Sequence, residues 1–325
     1  MKNNTYVKQI LDLNEKIENR RELHKAVAPI LQTMGTDKSF WEEVFKRNLN
    51  DKGFLDYKWS MYDIPFLYVY ECDDFYLKIH LFTALESKEK NILASAIHHH
   101  NNYLLTSFAA FGSGYETFIF DREPKFNKET KEVQLKIRER FKQKDRKVHM
   151  VDSWEPHAVI NPETLSATLV FWSPETKLAT DKLRSNPFLK AVKKPLRQLI
   201  YLLGMDRKLG IAAKETYQWY PHKDKFYGIL EDEFFAPTKT QVGPDVNNYS
   251  IQTVFYFMQK MGFTDKAYFE KLKADKNTPA YYLPWIDKIL ANEPIPETYA
   301  KSEINIPGKR ITAEEVERVN KLTNG

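Results

Sequence analysis

The chain has 325 residues, long enough to bury a full core and to hold one large domain or a domain with sizeable appendages. Hydrophobic residues make up 42% and aromatics 14%, which excludes a disordered or fibrous chain, and 49 basic against 44 acidic residues give a net charge of +5. Because the two signs are interspersed rather than clustered, no nucleic-acid footprint is visible, and solubility with a mild preference for anionic substrates is the expected consequence. Cys72 is the only cysteine, so an intramolecular disulfide and a cysteine-rich zinc site are excluded, and a reducing compartment is the natural fit. The N-terminal residues show no apolar leader segment and no apolar run is long enough to span a bilayer; a soluble cytoplasmic protein without membrane partners is expected.

In chain order, Val7, Ile10, Leu11, Ile17, Leu23, Val27, Ile30 and Leu31 recur at mostly helical spacing, predicting one or two amphipathic helices that end near Gly35. Ser39-Phe40-Trp41-Glu42 reads as a capping box opening a short helix over 40–48. From Pro65 the texture turns to β. Strands are predicted over 66–70, 75–85, 92–100, 103–111 and 115–120, separated by turns such as Gly112-Ser113-Gly114. Residues 125–130 read as a loop and Val133 to Ile137 as an alternating edge strand, after which strands resume over 147–151, 156–160 and 167–172. Helical patterning then returns. Pro187 to Leu203 puts Phe188, Leu189, Val192, Leu196, Leu199, Ile200 and Leu203 on one side, with Gly204 as its stop, and further helices are predicted over 249–261, 265–275, 280–291 and 313–322, the last capped by Thr312. No internal repeat or low-complexity tract is present.

The most informative residues are the consecutive His98, His99 and His100 together with His157. On a strand, side chains alternate, so His98 and His100 share one face and His99 takes the other, where a packed or supporting role suits it. His157 lies in a second β-run and supplies a third imidazole from a segment distant in sequence. Neutral imidazoles suit iron, copper, nickel or zinc, so ligand type alone does not name the metal. Asn161 reads as a local hydrogen-bonding residue before Pro162. His149 and His222 do not stand at a recognisable metal-ligand spacing. No phosphate-binding glycine loop or Gly-x-Ser-x-Gly elbow occurs.

His98-His99-His100 and His157 to Asn161 resemble the two short motifs of the cupin superfamily, His-x-His and His-x-x-x-Asn, and the likeness covers roughly residues 65 to 175. The stretch from His98 through Asn101-Asn102 and Gly112-Ser113-Gly114 to Glu116-Thr117 further resembles the thiol (cysteine) dioxygenase branch, in which three histidines hold ferrous iron. Leu104 and Leu105 stand where the wider pattern places a ligand carboxylate, which favours an all-histidine site. The patterning gives an α+β chain with a helical N-terminal extension over 1–60 and a helical C-terminal region over 179–325, and the resemblance implies that 61–178 between them is a double-stranded antiparallel, jelly-roll-like β-barrel. The resemblance also implies a metal site of His98, His100 and His157, with Fe(II) first and Zn, Ni, Cu or Mn also admitted. The implied function is a non-haem iron oxygenase taking dioxygen and a small chelating substrate; a cupin isomerase or hydrolase without redox chemistry, or a non-catalytic binding protein, are the alternatives. By offset the branch's substrate-carboxylate arginine falls at Lys78, an anionic anchor without arginine's planar fork. Its Ser-His-Tyr relay falls at Thr168, Val170 and Trp172, with Trp172 read as a chamber wall, so cysteine and simple thiols are expected to be poor substrates. Substrate identity and oligomeric state are left open.

Overall fold

The computed structural model describes residues 1–51, 54, 57–59, 64–86, 97–143, 148–176, 187–206, 215–230, 239–241, 244–300 and 311–325. It is an α+β chain of antiparallel sheets with eight α-helices among those residues. Three helices come first: α1 (Thr5–Lys16), α2 (Arg20–Thr36) and α3 (Lys38–Asn50). Each starts on an Asn or Asp whose side chain accepts backbone N–H groups, namely Asn4, Asn19 and Asp37. The expected capping box at Ser39 is therefore displaced by two residues. Asp37 accepts from Ser39 N at 2.8 Å and from the Ser39 hydroxyl at 2.7 Å, because an ionised carboxylate is the stronger acceptor for those donors. Helix α2 ends at Thr36, beside Gly35 as expected; Gly35 itself lies inside the last turn and brings the helix close to Phe108 and Ala110.

The central layer is a five-stranded sheet in the order β2-β3-β11-β4-β9, formed by β2 (Phe66–Glu71), β3 (Tyr76–Phe82), β4 (Tyr103–Phe111), β9 (Val148–Val151) and β11 (Ser166–Pro174). Alternation sorts its side chains. Leu77, Ile79, Leu81, Phe108, Leu169 and Phe171 turn to one face and join a core with Val7, Leu23, Val27, Leu31, Trp41 and Phe45 of the N-terminal helices. The same core takes in Ile251, Val254, Phe255, Phe257, Phe269 and Ile286 from α5 (Pro244–Lys260), α6 (Lys266–Ala274) and α7 (Leu283–Leu290). Helices from both ends of the chain thus cover one face of the sheet, each fully buried large side chain contributing roughly 1.5–3 kcal/mol.

The opposite face meets a three-stranded sheet, β10-β5-β8, made of β5 (Glu116–Phe120), β8 (Ile137–Lys142) and β10 (His157–Ile160). Leu105, Val151 and Val170 of the first sheet pack there against Ile119 of the second, with Phe141 and Trp172 alongside. On its outer side Phe118, Phe120, Ala158 and Ile160 form another core with Trp219, Phe226, Val316 and Val319. Those residues come from the hairpin β12 (Tyr217–His222) and β13 (Lys225–Leu230) and from α8 (Ala313–Asn324), which Thr312 caps as expected, accepting from Glu315 N at 3.1 Å. The hairpin belongs to a four-stranded sheet with β6 (Lys125–Phe126) and β7 (Glu132–Gln134). Two strands, β1 (Tyr57–Trp59) and β14 (Lys239–Gln241), pair separately. Among the described residues the strands form these separate sheets and no closed barrel.

Several strand expectations shift. The single edge strand over Val133 to Ile137 is split between two sheets, and Lys125–Phe126 pairs with β7 instead of looping. Within the expected strand 92–100, residues 92–96 lie outside the described residues; Ile97 bridges Trp219 and His98 bridges His157. The helix α4 (Pro187–Leu202) stops at Gly204, whose φ of 62° lets Met205 N reach back to Ile200 O at 3.1 Å.

Candidate metal centre

His98 and His157 are joined by two backbone hydrogen bonds, His98 N to His157 O at 3.0 Å and the reverse at 2.8 Å, which places their rings side by side at 4.4 Å between centroids. His100 follows two residues later, its ring 5.3 Å from that of His98 and 4.3 Å from that of His157. One ring nitrogen from each of the three lies within 4.8 Å of the others, so the group can hold a metal ion. His99 is not part of it. Its ring faces the Trp154 indole at 5.4 Å, and its Nδ1 accepts from Asn101 N at 3.1 Å, which bends the chain away after the histidine run.

The geometry also says which atoms are free. Nδ1 of His157 lies 3.0 Å from the Glu155 carbonyl; a carbonyl can only accept, so Nδ1 carries the proton and Nε2 keeps its lone pair. Nδ1 of His100 is fully enclosed and has no hydrogen-bond partner in the protein. Burial depresses the His157 pKa to about 4, and the His100 pKa also falls well below its ordinary value, first through burial and then through the neighbouring histidines. Both rings are neutral at physiological pH, the state a ligand needs. These donors fit a borderline transition metal and not a hard, oxygen-seeking ion such as calcium.

The turn before His157 is strongly tied. Glu155 is buried, accepts from Asp152 N at 3.0 Å and pairs with Arg138. Asp152 in turn receives Arg21 of α2 through two contacts, Nε at 3.0 Å and Nη2 at 2.8 Å, and Arg21 also reaches Glu175 at 2.6 Å. The Asp152 carboxyl lies below its usual range because the Arg21 pair and the Ser153 N–H outweigh the opposing effect of burial, the largest single influence on it. Trp154 adopts a left-handed φ of 60°, which for a bulky side chain is a strained conformation, and donates its backbone N–H to Asn101 O at 2.8 Å. That bond fastens the turn carrying His157 to the residue just after His100. The sequence gives no sign of Glu155's part in this, because its backbone carbonyl does the orienting; the Asp152-Ser153 turn before it is the nearest signal.

Around the histidines, Trp172 of β11 packs its ring, tilted, 4.2 Å from that of His100. Val170 and Thr168 share its face, two and four residues back, and Val170 packs in the cluster between the sheets. Lys78 lies opposite Val170 on β3, so it too points between the sheets; its ammonium sits 5.2 Å from the Tyr68 ring and 5.1 Å from that of Tyr76. His80, opposite Thr168, is also on this face, its pKa lowered by burial to about 3. Trp172 is therefore in contact with the histidine cluster, while Lys78 stands two positions from it on the neighbouring strand, opposite Val170. Glu116, from the stretch that resembles the thiol dioxygenase branch, is buried and paired with Arg140, whose guanidinium also lies over the Phe118 ring.

No helix among the described residues is long and apolar enough to cross a membrane. No family model matches the chain, and no curated protein matches it. Solved structures similar to part of it include TT1209 from Thermus thermophilus, at 13% identity over 34% of this chain and 83% of that one, with a TM-score of 0.23. The capsular polysaccharide assembling protein CapF from Staphylococcus aureus matches at 12% identity over 36% of this chain and 30% of its own, with a TM-score of 0.24. CapF with the inhibitor 3-isopropenyl-tropolone gives 10% identity over the same shares, again at 0.24.

Proposed function

We propose that the chain is a non-haem iron oxygenase of cupin type, in which His98, His100 and His157 hold Fe(II) between two facing sheets. The observation that carries this reading is the meeting of three imidazoles from two distant segments, with Nε2 of His157 left available and Nδ1 of His100 without a protein partner. Bound there, ferrous iron would supply activation of dioxygen. The chain's own residues do the rest. Glu155 fixes the His157 ring, Trp172 closes one side next to His100, and the apolar lining of Leu105, Ile119, Val151 and Val170 keeps bulk water from the reacting partners. Lys78 is the cation on that wall, placed to receive an anionic group of a small chelating substrate and to orient it.

The test is oxygen uptake by protein purified without air and loaded with ferrous ion. Uptake should require both the ferrous protein and a chelating small molecule, and zinc-loaded protein should be inert. Free cysteine should be a poor substrate, since Thr168, Val170 and Trp172 offer no phenolic hydroxyl. Full turnover with zinc and no oxygen would replace this reading with that of a redox-free isomerase or hydrolase, and stoichiometric ligand binding without turnover would leave a binding protein.

A further inference from the structure

Five of the eight large hydrophobic side chains that are exposed among the described residues fall within ten positions: Leu196, Leu199, Leu202, Leu203 and Met205, each between 39% and 83% accessible. They lie on and just beyond α4, whose helical spacing predicts an apolar face of the kind that ordinarily packs on a core. Here that face is left in solvent at its C-terminal half, which is a contiguous concentration rather than the scatter normal for a surface. From Pro187 to Met205 the chain also carries Lys190, Lys193, Lys194 and Arg197 and not one acidic residue, in a protein whose charges are otherwise mixed. At 1.5 Å per residue the 16-residue helix is about 24 Å long, shorter than a bilayer's hydrocarbon core, so it suits a position in the plane of an interface and not across it.

We propose that α4 is an interfacial helix that docks the protein on an anionic lipid surface, its leucines entering the acyl boundary and its cations meeting the headgroups. The pairing of exposed leucines with a segment whose only charges are basic is what such a surface recognises. A second copy of the chain would cover the leucines but leave the cations without a counter-charge, which an anionic surface supplies.

Flotation of the full chain with vesicles decides the matter. The protein should float with phosphatidylcholine vesicles containing phosphatidylserine, much less with phosphatidylcholine alone, and should be released by high salt. Lys193→Gln with Lys194→Gln should weaken the anionic binding about 30-fold. Leu199→Asp with Leu203→Asp, at exposed positions that leave the melting temperature and metal content unchanged, should weaken it tenfold or more. Absence of binding to the anionic vesicles would overturn the proposal, as would equal binding by the aspartate variant. So would a dimer in lipid-free solution that the aspartate variant dissolves while the parent ignores vesicles; that result would assign the face to a second copy.

Discussion

Replacing Glu155 by alanine should loosen the metal site without touching a ligand. The Glu155 side chain is 4% accessible and serves two neighbours, the Asp152 N–H at 3.0 Å and the Arg138 guanidinium, while its carbonyl holds Nδ1 of His157 at 3.0 Å. Removing the carboxylate leaves the Asp152 amide without its acceptor, which costs about 1–3 kcal/mol. The Arg138 pair adds less than about 1 kcal/mol, since the arginine is nearly half exposed and its charge is screened. Unfolding free energy should therefore fall by about 1–4 kcal/mol. The turn that orients His157 relaxes as well, and loss of a partner that fixes a ligating imidazole weakens metal binding roughly 10–100-fold. Glu155→Gln keeps an acceptor for Asp152 N and loses only the charge, so it should weaken binding less than about tenfold. Competitive titration of the apo protein with Co²⁺ against a chelator measures the affinities, and urea unfolding of the same apo samples measures stability. Wild-type affinity in Glu155→Ala, alongside the expected loss of stability, would show that this turn does not set the His157 ring.

Two further outcomes follow from packing and burial. Gly35→Ala should destabilise the protein by about 1–2 kcal/mol in urea unfolding, because the new methyl overlaps the buried Phe108 ring and lies 3.1 Å from the Ala110 Cβ, outweighing a gain of about 1 kcal/mol in helix propensity; added Phe108→Leu should relieve much of the loss, and a stabilised Gly35→Ala would contradict the close approach of α2 to β4. His24, buried and bonded to the Thr106 hydroxyl at 2.7 Å and the Ser173 hydroxyl at 2.9 Å, has its pKa lowered to about 3, first by burial and then by Arg20. Between its unfolded value near 6.5 and that lower value the unfolded state binds the extra proton, so stability falls by about 1.4 kcal/mol per pH unit as pH drops below about 6.5. His24→Gln should lower the overall slope by about that amount when apo protein is unfolded at pH 7, 6 and 5, the other depressed histidines keeping their own share; parallel slopes would contradict it.

The helices at both ends were legible because their apolar residues recur at helical spacing and their stops and caps are local, as at Gly204 and Thr312. Strands β4, β5, β10 and β11 were legible for the same kind of reason, being apolar runs bounded by Gly, Pro and Asn. Their partnership was not: the pairing of β3, β11 and β4 joins residues far apart in the chain, and no local pattern encodes it. The hairpin at Tyr217–His222 was obscured by Pro221, which suits an edge or end position and demotes a run that would otherwise read as β. At the site, alternation was enough to separate His99 from its neighbours, since it acts within three residues. The Glu155 carbonyl and the Arg21 clamp on Asp152 lay beyond reach, because one is a backbone group and the other spans 131 positions.

Metal content of four single variants tests the central claim most directly. After reconstitution with Fe²⁺ or Zn²⁺ and removal of loose ions, the parent and His99→Ala should each retain one metal per chain, whereas His98→Ala, His100→Ala and His157→Ala should retain little, because each removes one of three nitrogens that meet within 4.8 Å. Full occupancy in His157→Ala, or loss in His99→Ala with retention in His98→Ala, would contradict the three-histidine centre.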